Sequence, residues 1–373
     1  MSTAALPVRE SAASSGDQSE PRTVPAAATV ARGRDEWRVV GVVLAVLGLT
    51  EAVFRLGGDR LSKDVAHLQA FPRLAERLAQ GRGRGPRILF LGNSLTRHGV
   101  DEAEIAAVFR ERLGVQPLTL KIVPDNTAIA DWYYVYRNQF TGASRAPDLL
   151  VIGFENGHLR DAPSRHVDRL AQYYCTWSDW CDLCRFDLPD WESQAVFALA
   201  RCSATFGNRD RVTRRLLDTL IPGYRAGMER INASLQAAAA PLASPSYERL
   251  RKLLELARED GVEVVLAAMP VPEDYDFDAE LLSLVDQSAV QLLDLRRLET
   301  ITPEMFFDGL HMDAAAAKAY SRALGHALTT VVQPAEGTAG RLKHAGGDEI
   351  VHAPPSAATG HDRTPPPHDR SPP

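Results

Sequence analysis

Five short apolar runs, separated by longer stretches of helical pattern, constrain the fold of this chain more than any other feature. Strands that are apolar on both faces and alternate with helices form a parallel sheet that is covered by helices on each side. The sequence therefore predicts an α/β protein with three layers, α/β/α, and a parallel five-stranded sheet. The five predicted strands are 87–91, 118–123, 149–154, 262–268 and 290–295.

Between and after these runs, apolar residues recur at helical spacing. This pattern predicts helices over 101–113, 128–139, 247–260 and 313–330. A longer segment, 159–245, separates the third strand from the fourth and carries three tryptophans and all four cysteines. Its apolar residues are too sparse for a core of its own. We interpret it as a helical insertion into one domain that spans 57–332.

The two ends of the chain differ from the rest in composition. Residues 1–36 are rich in Ala, Ser, Pro and charged residues, and 333–373 end in a Pro/His/Asp/Arg tract. Neither end can bury enough apolar surface to offset the entropy lost on ordering, so both are predicted to be disordered. The tail histidines have no regular ligand spacing, and no metal site is predicted.

Charge and motifs exclude several functions. Lys and Arg number 42 against 48 Asp and Glu, giving a formal net charge of −6 and no basic footprint for nucleic acid. Neither a G-x-G-x-x-G sequence nor a P-loop follows any predicted strand, which disfavours a nucleotide-binding role. We expect no cofactor.

A hydrophobic segment, 37–56, precedes the domain. Its uninterrupted apolar run, Val39–Leu49, has 11 residues and reaches 16 when extended to Phe54, against the about 17 to 25 that span a bilayer. The segment fits an uncleaved signal anchor, a cleaved signal peptide, or an amphipathic or core helix. No A-x-A-like site follows and basic residues precede it, so we expect a single-pass anchor with the domain outside the cytoplasm.

The four cysteines fall within one short stretch, with the spacing C-x5-C-x2-C-x17-C. The second C-x-x-C that would indicate zinc is missing. Behind an export signal, two disulfides are expected, and three pairings fit equally well. Unpaired thiols are the alternative. The residues are Cys175, Cys181, Cys184 and Cys202.

A serine follows the first predicted strand, in the sequence Gly92-Asn93-Ser94. Reactive groups of parallel sheets collect at the carboxyl ends of the strands. The backbone N–H of Ser94 can also point at a developing negative charge. A serine in this place can equally be a simple helix cap.

A second polar cluster, Asp308-Gly-Leu-His311, lies just before the closing helix. A serine hydroxyl needs a general base, usually a histidine that an acid holds in the right tautomer. Asp308 and His311 are three residues apart, so both side chains can converge on one place. Alternatively, His311 caps the helix and Asp308 is a turn residue.

Together these residues resemble the SGNH/GDSL hydrolase superfamily, in which G-N-S would be the first block and D-G-L-H the last. The resemblance covers about residues 87–328 and implies a flavodoxin-like fold. It also implies a triad in which Ser94 attacks, His311 takes the proton and Asp308 orients the imidazole.

The family's oxyanion donors match this sequence less closely. Its third block implies Asn156, although Glu155 lengthens the spacing and Gly157 replaces an aspartate. Its second-block glycine is missing, so a backbone N–H near Asn126 is expected to serve, beside that of Ser94. His158 is a rival base, or a structural residue.

The G-N-S block behind a hydrophobic segment resembles the membrane-anchored branch of the superfamily. That resemblance implies an esterase or an O-acyltransferase that acts on an acylated carbohydrate or other ester of the cell envelope. The alternative is a catalytically inactive scaffold, or a polysaccharide-binding module.

Overall fold

The computed structural model describes residues 27–57, 63–224, 227–228, 246–288 and 290–332, and the chain divides into two compact units at the boundary between Ala52 and Val53. The second unit is built on five parallel strands in the order β2-β1-β3-β4-β5. This is the flavodoxin-like order, and it confirms the predicted fold class. The strands are β1 Arg87–Leu91, β2 Leu118–Ile122, β3 Leu149–Phe154, β4 Glu263–Ala268 and β5 Gln291–Asp294.

Helices cover both faces of the sheet. Two hydrophobic clusters form, one on each face, because alternate side chains of the strands point to opposite sides. The helices are α1 Ala27–Gly57, α2 Lys63–Gln80, α3 Ser94–Gly99, α4 Glu102–Leu113, α5 Ile129–Val135, α6 Val167–Arg169, α7 Trp180–Phe186, α8 Trp191–Cys202, α9 Ala204–Leu220, α10 Glu248–Glu259, α11 Ala279–Ser288 and α12 Ala314–Val331.

Local sequence signals set the ends of several helices. Asp101 caps the first turn of α4 by accepting hydrogen bonds from two backbone N–H groups, and Gly114 ends that helix in the left-handed conformation at φ 66°. Asp313 caps α12 in the same way. The predicted helices at 101–113, 247–260 and 313–330 therefore agree with the structure to within a residue or so.

Helix α2 was not predicted. Its apolar residues recur at helical spacing and are buried in the cluster on one face of the sheet, although Pro72 lies within the helix. The helical spacing was present in the sequence, but no element was assigned to these residues of the predicted domain, 57–332. The buried residues are Val65, Leu68, Phe71, Ala75 and Leu78.

Helix α1 is longer than the predicted hydrophobic segment. It begins at Ala27, inside the stretch predicted to be disordered, because Ala and Arg favour helix. Within its part from Glu36 to Gly57, an 18-residue window has a mean hydropathy of 2.1, and this part is long and apolar enough to cross a membrane. The remaining predicted disorder, in 1–26 and 333–373, lies outside the described residues.

The insertion is helical where it is described, and it shares the core of the sheet. Leu170, Leu183 and Phe197 belong to the same hydrophobic cluster as β1 and β3. Trp177 and Trp180 pack on Phe197 with ring centroids 6.0 Å apart, whereas Trp191 is 79% exposed. The segment therefore packs as part of the domain.

The expected disulfides are absent, because all four cysteines are free thiols. Cys175 is buried in the hydrophobic cluster, whereas Cys181 and Cys202 are exposed on different helices. The four cysteines are therefore close together in the sequence but are not paired in the structure.

A buried ion pair joins the insertion to α10. Arg249 donates to Asp187 at 2.9 Å, and the two side chains are 1% and 0% exposed. The remaining lone pairs of Asp187 accept from the Tyr134 hydroxyl at 2.9 Å and the Ser164 N–H at 2.7 Å. A buried charge pair is tolerated only when it is hydrogen-bonded to this extent.

Two glycines let α3 lie directly on the carboxyl end of the sheet. Gly92 follows β1 and Gly153 lies in β3, and a Cβ atom on either would overlap the hydroxyl of Thr96. Thr96 is fully buried and donates to the Gly153 carbonyl at 3.4 Å. The absence of side chains at both glycines thus sets the position of the helix that begins with Ser94.

We expect Gly153→Ala to lower the free energy of unfolding by about 1–3 kcal/mol, because the added methyl group overpacks the contact with Thr96. Urea denaturation measures this change. Thr96→Ala in the same chain should recover part of the loss, since it removes the overlapping hydroxyl. Gly157→Ala is the matched control, because its Cβ would lie 3.8 Å from the nearest atom. Equal losses for the two alanine variants would contradict the prediction.

Candidate active site

Ser94 is held at the carboxyl end of β1 by its neighbour Asn93. The Asn93 side chain caps α3 by accepting from the Leu95 N–H at 2.9 Å, and its amide donates to the Thr127 carbonyl at 3.2 Å. Ser94 is therefore the first residue of α3, a position where a backbone N–H has no partner within the helix. Both its hydroxyl and its N–H are available at the edge of the sheet.

Asp308 and His311 lie in one tight turn before α12. Gly309 takes the left-handed conformation at φ 77°, and an antiparallel bridge between Phe306 and Met312 closes the turn. Asp308 Oδ1 accepts from the backbone N–H groups of Leu310 and His311 at 3.1 and 2.8 Å. These bonds fix the carboxylate beside the imidazole that it faces.

The turn brings the imidazole to the serine. Asp308 Oδ2 lies 2.7 Å from His311 Nδ1, and His311 Nε2 lies 2.8 Å from Ser94 Oγ. Ser94 and His311 are 217 positions apart in the chain. The three side chains singled out in the sequence therefore form one continuous hydrogen-bonded line.

The charge of Asp308 sets the direction of these hydrogen bonds. Burial acts to raise its pKa, but the hydrogen bonds from the His311 N–H, the imidazole and the Leu310 N–H outweigh this effect and lower the pKa to about 2. An ionised carboxylate only accepts, so Nδ1 of His311 carries the proton. Nε2 of the neutral ring is then free to accept from the Ser94 hydroxyl.

A cleft of about 540 Å³ opens above this line of side chains. Two exposed apolar side chains, Phe307 and Leu310, form part of its wall, 59% and 43% exposed. Within the described ranges no group of three or more His, Cys, Asp or Glu side chains is arranged to hold a metal ion. The lining residues are Asn93, Ser94, Leu95, Arg97, His98, Asp125, Asn126, Glu155, His158, Phe307, Asp308, Leu310 and His311.

His98, which was not predicted as a site residue, lies one helical turn after Ser94. Its ring centroid is 4.9 Å from that of His311 and 5.5 Å from that of Phe307. Burial, followed by the nearby charges of His311 and Arg97, lowers its pKa. The four-residue spacing from Ser94 was the signal that would have placed His98 on the same face of the helix.

Asn126 lies in the turn after β2 and lines the cleft. Its φ of 56° is in the left-handed region, which Asn tolerates better than most residues. Its side chain contacts Arg165 Nη1 and His166 Nε2, each at 3.3 Å. Since those contacts occupy the amide, the group that Asn126 can offer to the cleft is its backbone.

Asn156 begins a 3-10 turn, Asn156–Leu159, directly after β3 and Glu155. The backbone of Asn156 therefore lies after β3, at the position that the third block of the family implied. The side chain of Asn156 lies outside the described part of the structure, so its role as an oxyanion donor stays a prediction.

His158, the rival base, is held by the same turn. Its Nδ1 accepts from the Glu155 N–H at 3.3 Å, and the Asn93 amide lies within 3.4 Å of both ring nitrogens. Burial, and then the nearby Arg165, lowers its pKa to about 4, so the ring is neutral at pH 7. The imidazole that contacts Ser94 is that of His311.

Comparisons with known proteins identify similar structures but no similar sequences. No family model matches the sequence, and no curated protein matches it. Among solved structures, the chain is similar to TesA, with 14% identity over 65% of this chain and 98% of that chain at a TM-score of 0.32. It is also similar to a catalytic mutant of Axe2, an acetylxylan esterase from Geobacillus stearothermophilus, with 12% identity over 65% and 93% of the chains and a TM-score of 0.35.

A third similar structure is a GDSL-like lipase from Bacteroides thetaiotaomicron, with 12% identity over 70% of this chain and 98% of that chain at a TM-score of 0.31. Identities and TM-scores of this size do not transfer an activity or a substrate to this chain.

We expect the half-buried His158 to make the protein acid-sensitive. The unfolded chain takes up a proton on this residue near pH 6.5, whereas the folded protein does so only near pH 4. Stability is therefore lost as the pH falls through this window. Urea denaturation of His158→Gln at pH 7.0 and 4.5 should show a smaller loss than the wild type.

His326→Gln serves as the control for that measurement, because His326 lies outside the cleft lining. It should lose as much stability as the wild type between the two pH values. If His158→Gln has an unchanged acid sensitivity, the assigned environment of His158 is incorrect.

Proposed function

We propose that this protein is a serine-dependent acyl-ester hydrolase. The observation that carries the proposal is the hydrogen-bonded line Ser94–His311–Asp308, with distances of 2.8 and 2.7 Å. His311 Nε2 takes the proton of the Ser94 hydroxyl as Oγ bonds to the ester carbonyl carbon. Asp308 stays ionised and stabilises the imidazolium that forms.

The tetrahedral intermediate carries a negative oxygen that needs donors. The Ser94 N–H, at the start of α3, is the first donor in the proposal. The backbone N–H at Asn126 and the side chain of Asn156 are the others, because both residues follow strands adjacent to β1. Collapse of the intermediate expels the alcohol, which takes its proton from His311 and leaves an acyl-serine.

The second step decides between a hydrolase and a transferase. Asp308 is 43% exposed and the cleft wall includes the exposed Leu310, so bulk water reaches the acyl-serine. We therefore favour hydrolysis, in which His311 activates water for attack on the acyl group. A sugar hydroxyl in the same place would make the protein an O-acyltransferase, which requires a site that excludes water.

We further propose that the substrate is an acylated carbohydrate or other ester outside the cytoplasm. Helix α1 is long and apolar enough to serve as a single-pass anchor, and Arg32, Arg34 and Arg38 precede or begin its apolar part. Such basic residues favour a cytoplasmic N-terminus. The hydrolase unit would then face the cell envelope.

We expect a fluorophosphonate to label Ser94 of the wild-type protein, and peptide mass spectrometry to locate the adduct. Ser94→Ala should lose the label and hydrolyse p-nitrophenyl acetate on the order of a thousandfold more slowly. Ser178→Ala is the matched control, since Ser178 is an exposed serine outside the cleft. If folded wild type and Ser94→Ala label equally poorly, the inactive scaffold is the correct alternative.

Two further variants distinguish a side-chain donor at Asn156 from a backbone donor at Asn126. Asn156→Ala should lower kcat by on the order of a hundredfold or more, because it removes a side-chain donor. Asn126→Gly should leave kcat within a few-fold, because glycine keeps both the N–H and the φ of 56°. Steady-state kinetics on p-nitrophenyl acetate measure both values. An unchanged kcat in Asn156→Ala would remove that residue from the site.

A further inference from the structure

Helix α9 differs from an ordinary surface helix, because beyond Phe206, which packs on the core, mainly polar side chains face the protein. Gly207 and Asn208 are buried, and the Asn208 amide donates to Gln172 at 3.3 Å. Arg211 pairs with Asp168 at 3.0 Å, and both side chains are less than a fifth exposed. Surface helices normally turn their apolar face towards the core.

The apolar side of α9 faces outward. Val212, Leu216 and Leu220 recur every four residues, so they form one stripe along the helix, and they are 38%, 54% and 65% exposed. Ile221, which caps the helix, is 47% exposed. A continuous row of large exposed side chains of this kind marks a surface that is covered in the working protein.

The charge of α9 indicates what covers it. The helix has four arginines and two aspartates, within a chain whose formal net charge is −6. Arg214 and Arg215 are both exposed; at 100° per residue Arg215 flanks the apolar stripe, whereas Arg214 lies near the opposite side of the helix. A basic helix with an exposed apolar face is typical of an element that lies in the interface of an anionic bilayer.

A contact with the end of α1 also favours a bilayer as the surface that covers α9. Arg55 donates to the carbonyl of Cys202 at 2.9 Å, and Cys202 is the last residue of α8, two residues before α9 begins. Arg55 itself is two residues from the end of the segment that is long enough to cross a membrane. The start of α9 therefore lies beside the place where the chain would leave the bilayer.

We propose that α9 docks on the surface of the phospholipid bilayer that α1 crosses. The apolar stripe enters the headgroup region, and Arg215 beside it keeps its charged end in the polar layer with the phosphates, as long basic side chains do. This contact would give the hydrolase unit a second attachment to the membrane besides the anchor. It does not depend on the esterase chemistry.

The test uses the full chain, reconstituted in vesicles of phosphatidylcholine and phosphatidylglycerol that contain a phosphatidylcholine with a photoactivatable acyl chain. After irradiation, peptide mass spectrometry should find lipid adducts within 212–221 as well as within 36–57, where the anchor is the internal positive control. The double variant Leu216→Asp/Leu220→Asp should lose the α9 adducts at least about tenfold and keep those in α1.

Leu282→Asp is the matched control, because Leu282 is also an exposed leucine, 41% accessible, but lies on α11. It should leave the α9 adducts unchanged. Wild-type adducts confined to 36–57 would overturn the proposal. So would protein–protein adducts at 212–221, which would show that a second copy of the chain covers the stripe.

Discussion

The close contact between Thr96 and two glycines is the constraint on which the site depends. Gly92 and Gly153 lie at the carboxyl ends of neighbouring strands, and neither has room for a Cβ atom. The short helix that begins with Ser94 therefore lies directly on the sheet. Arg97 secures it from the other side by donating to Asp125 and to the Val123 carbonyl at 2.8 and 2.7 Å. The serine is held by packing that involves three strands.

Asp308 and His311 of the proposed triad are supported separately from Ser94. The turn before α12 orients Asp308 and His311 by two backbone N–H groups and a left-handed glycine, and Phe306 and Met312, which close the turn, belong to the hydrophobic cluster on the sheet. Helix α12 packs on the face of the sheet that α4 also covers, through Tyr320 and Leu324. Since the turn precedes a firmly packed helix, the imidazole of His311 has little conformational freedom where it contacts Ser94. Asp308 remains ionised because its hydrogen bonds favour the charged form.

The insertion shows where patterns along the chain mislead. Its cysteines were expected to pair because they are close in sequence, yet all four are free: Cys175 is buried, Cys181 and Cys184 lie on α7, and Cys202 ends α8. Its helices are bound to the domain by the buried Arg249–Asp187 pair, which no local signal indicates. Helix α9 shows the opposite case, because its stripe of Val212, Leu216 and Leu220 is an ordinary amphipathic pattern that implies burial. The contacts made by Asn208 and Arg211, together with the solvent exposure of the stripe, show that the stripe faces outward.

The sequence by itself determined the five strands, the caps of α4 and α12, and the residue types of the proposed triad. These follow from side-chain periodicity and local backbone preferences, which act over a few residues. The tertiary structure decided that His311 contacts Ser94, that His98 joins the cleft, and which face of α9 is exposed. These features depend on how elements as far as 217 residues apart pack together, and packing is a property of the whole fold rather than of any one segment.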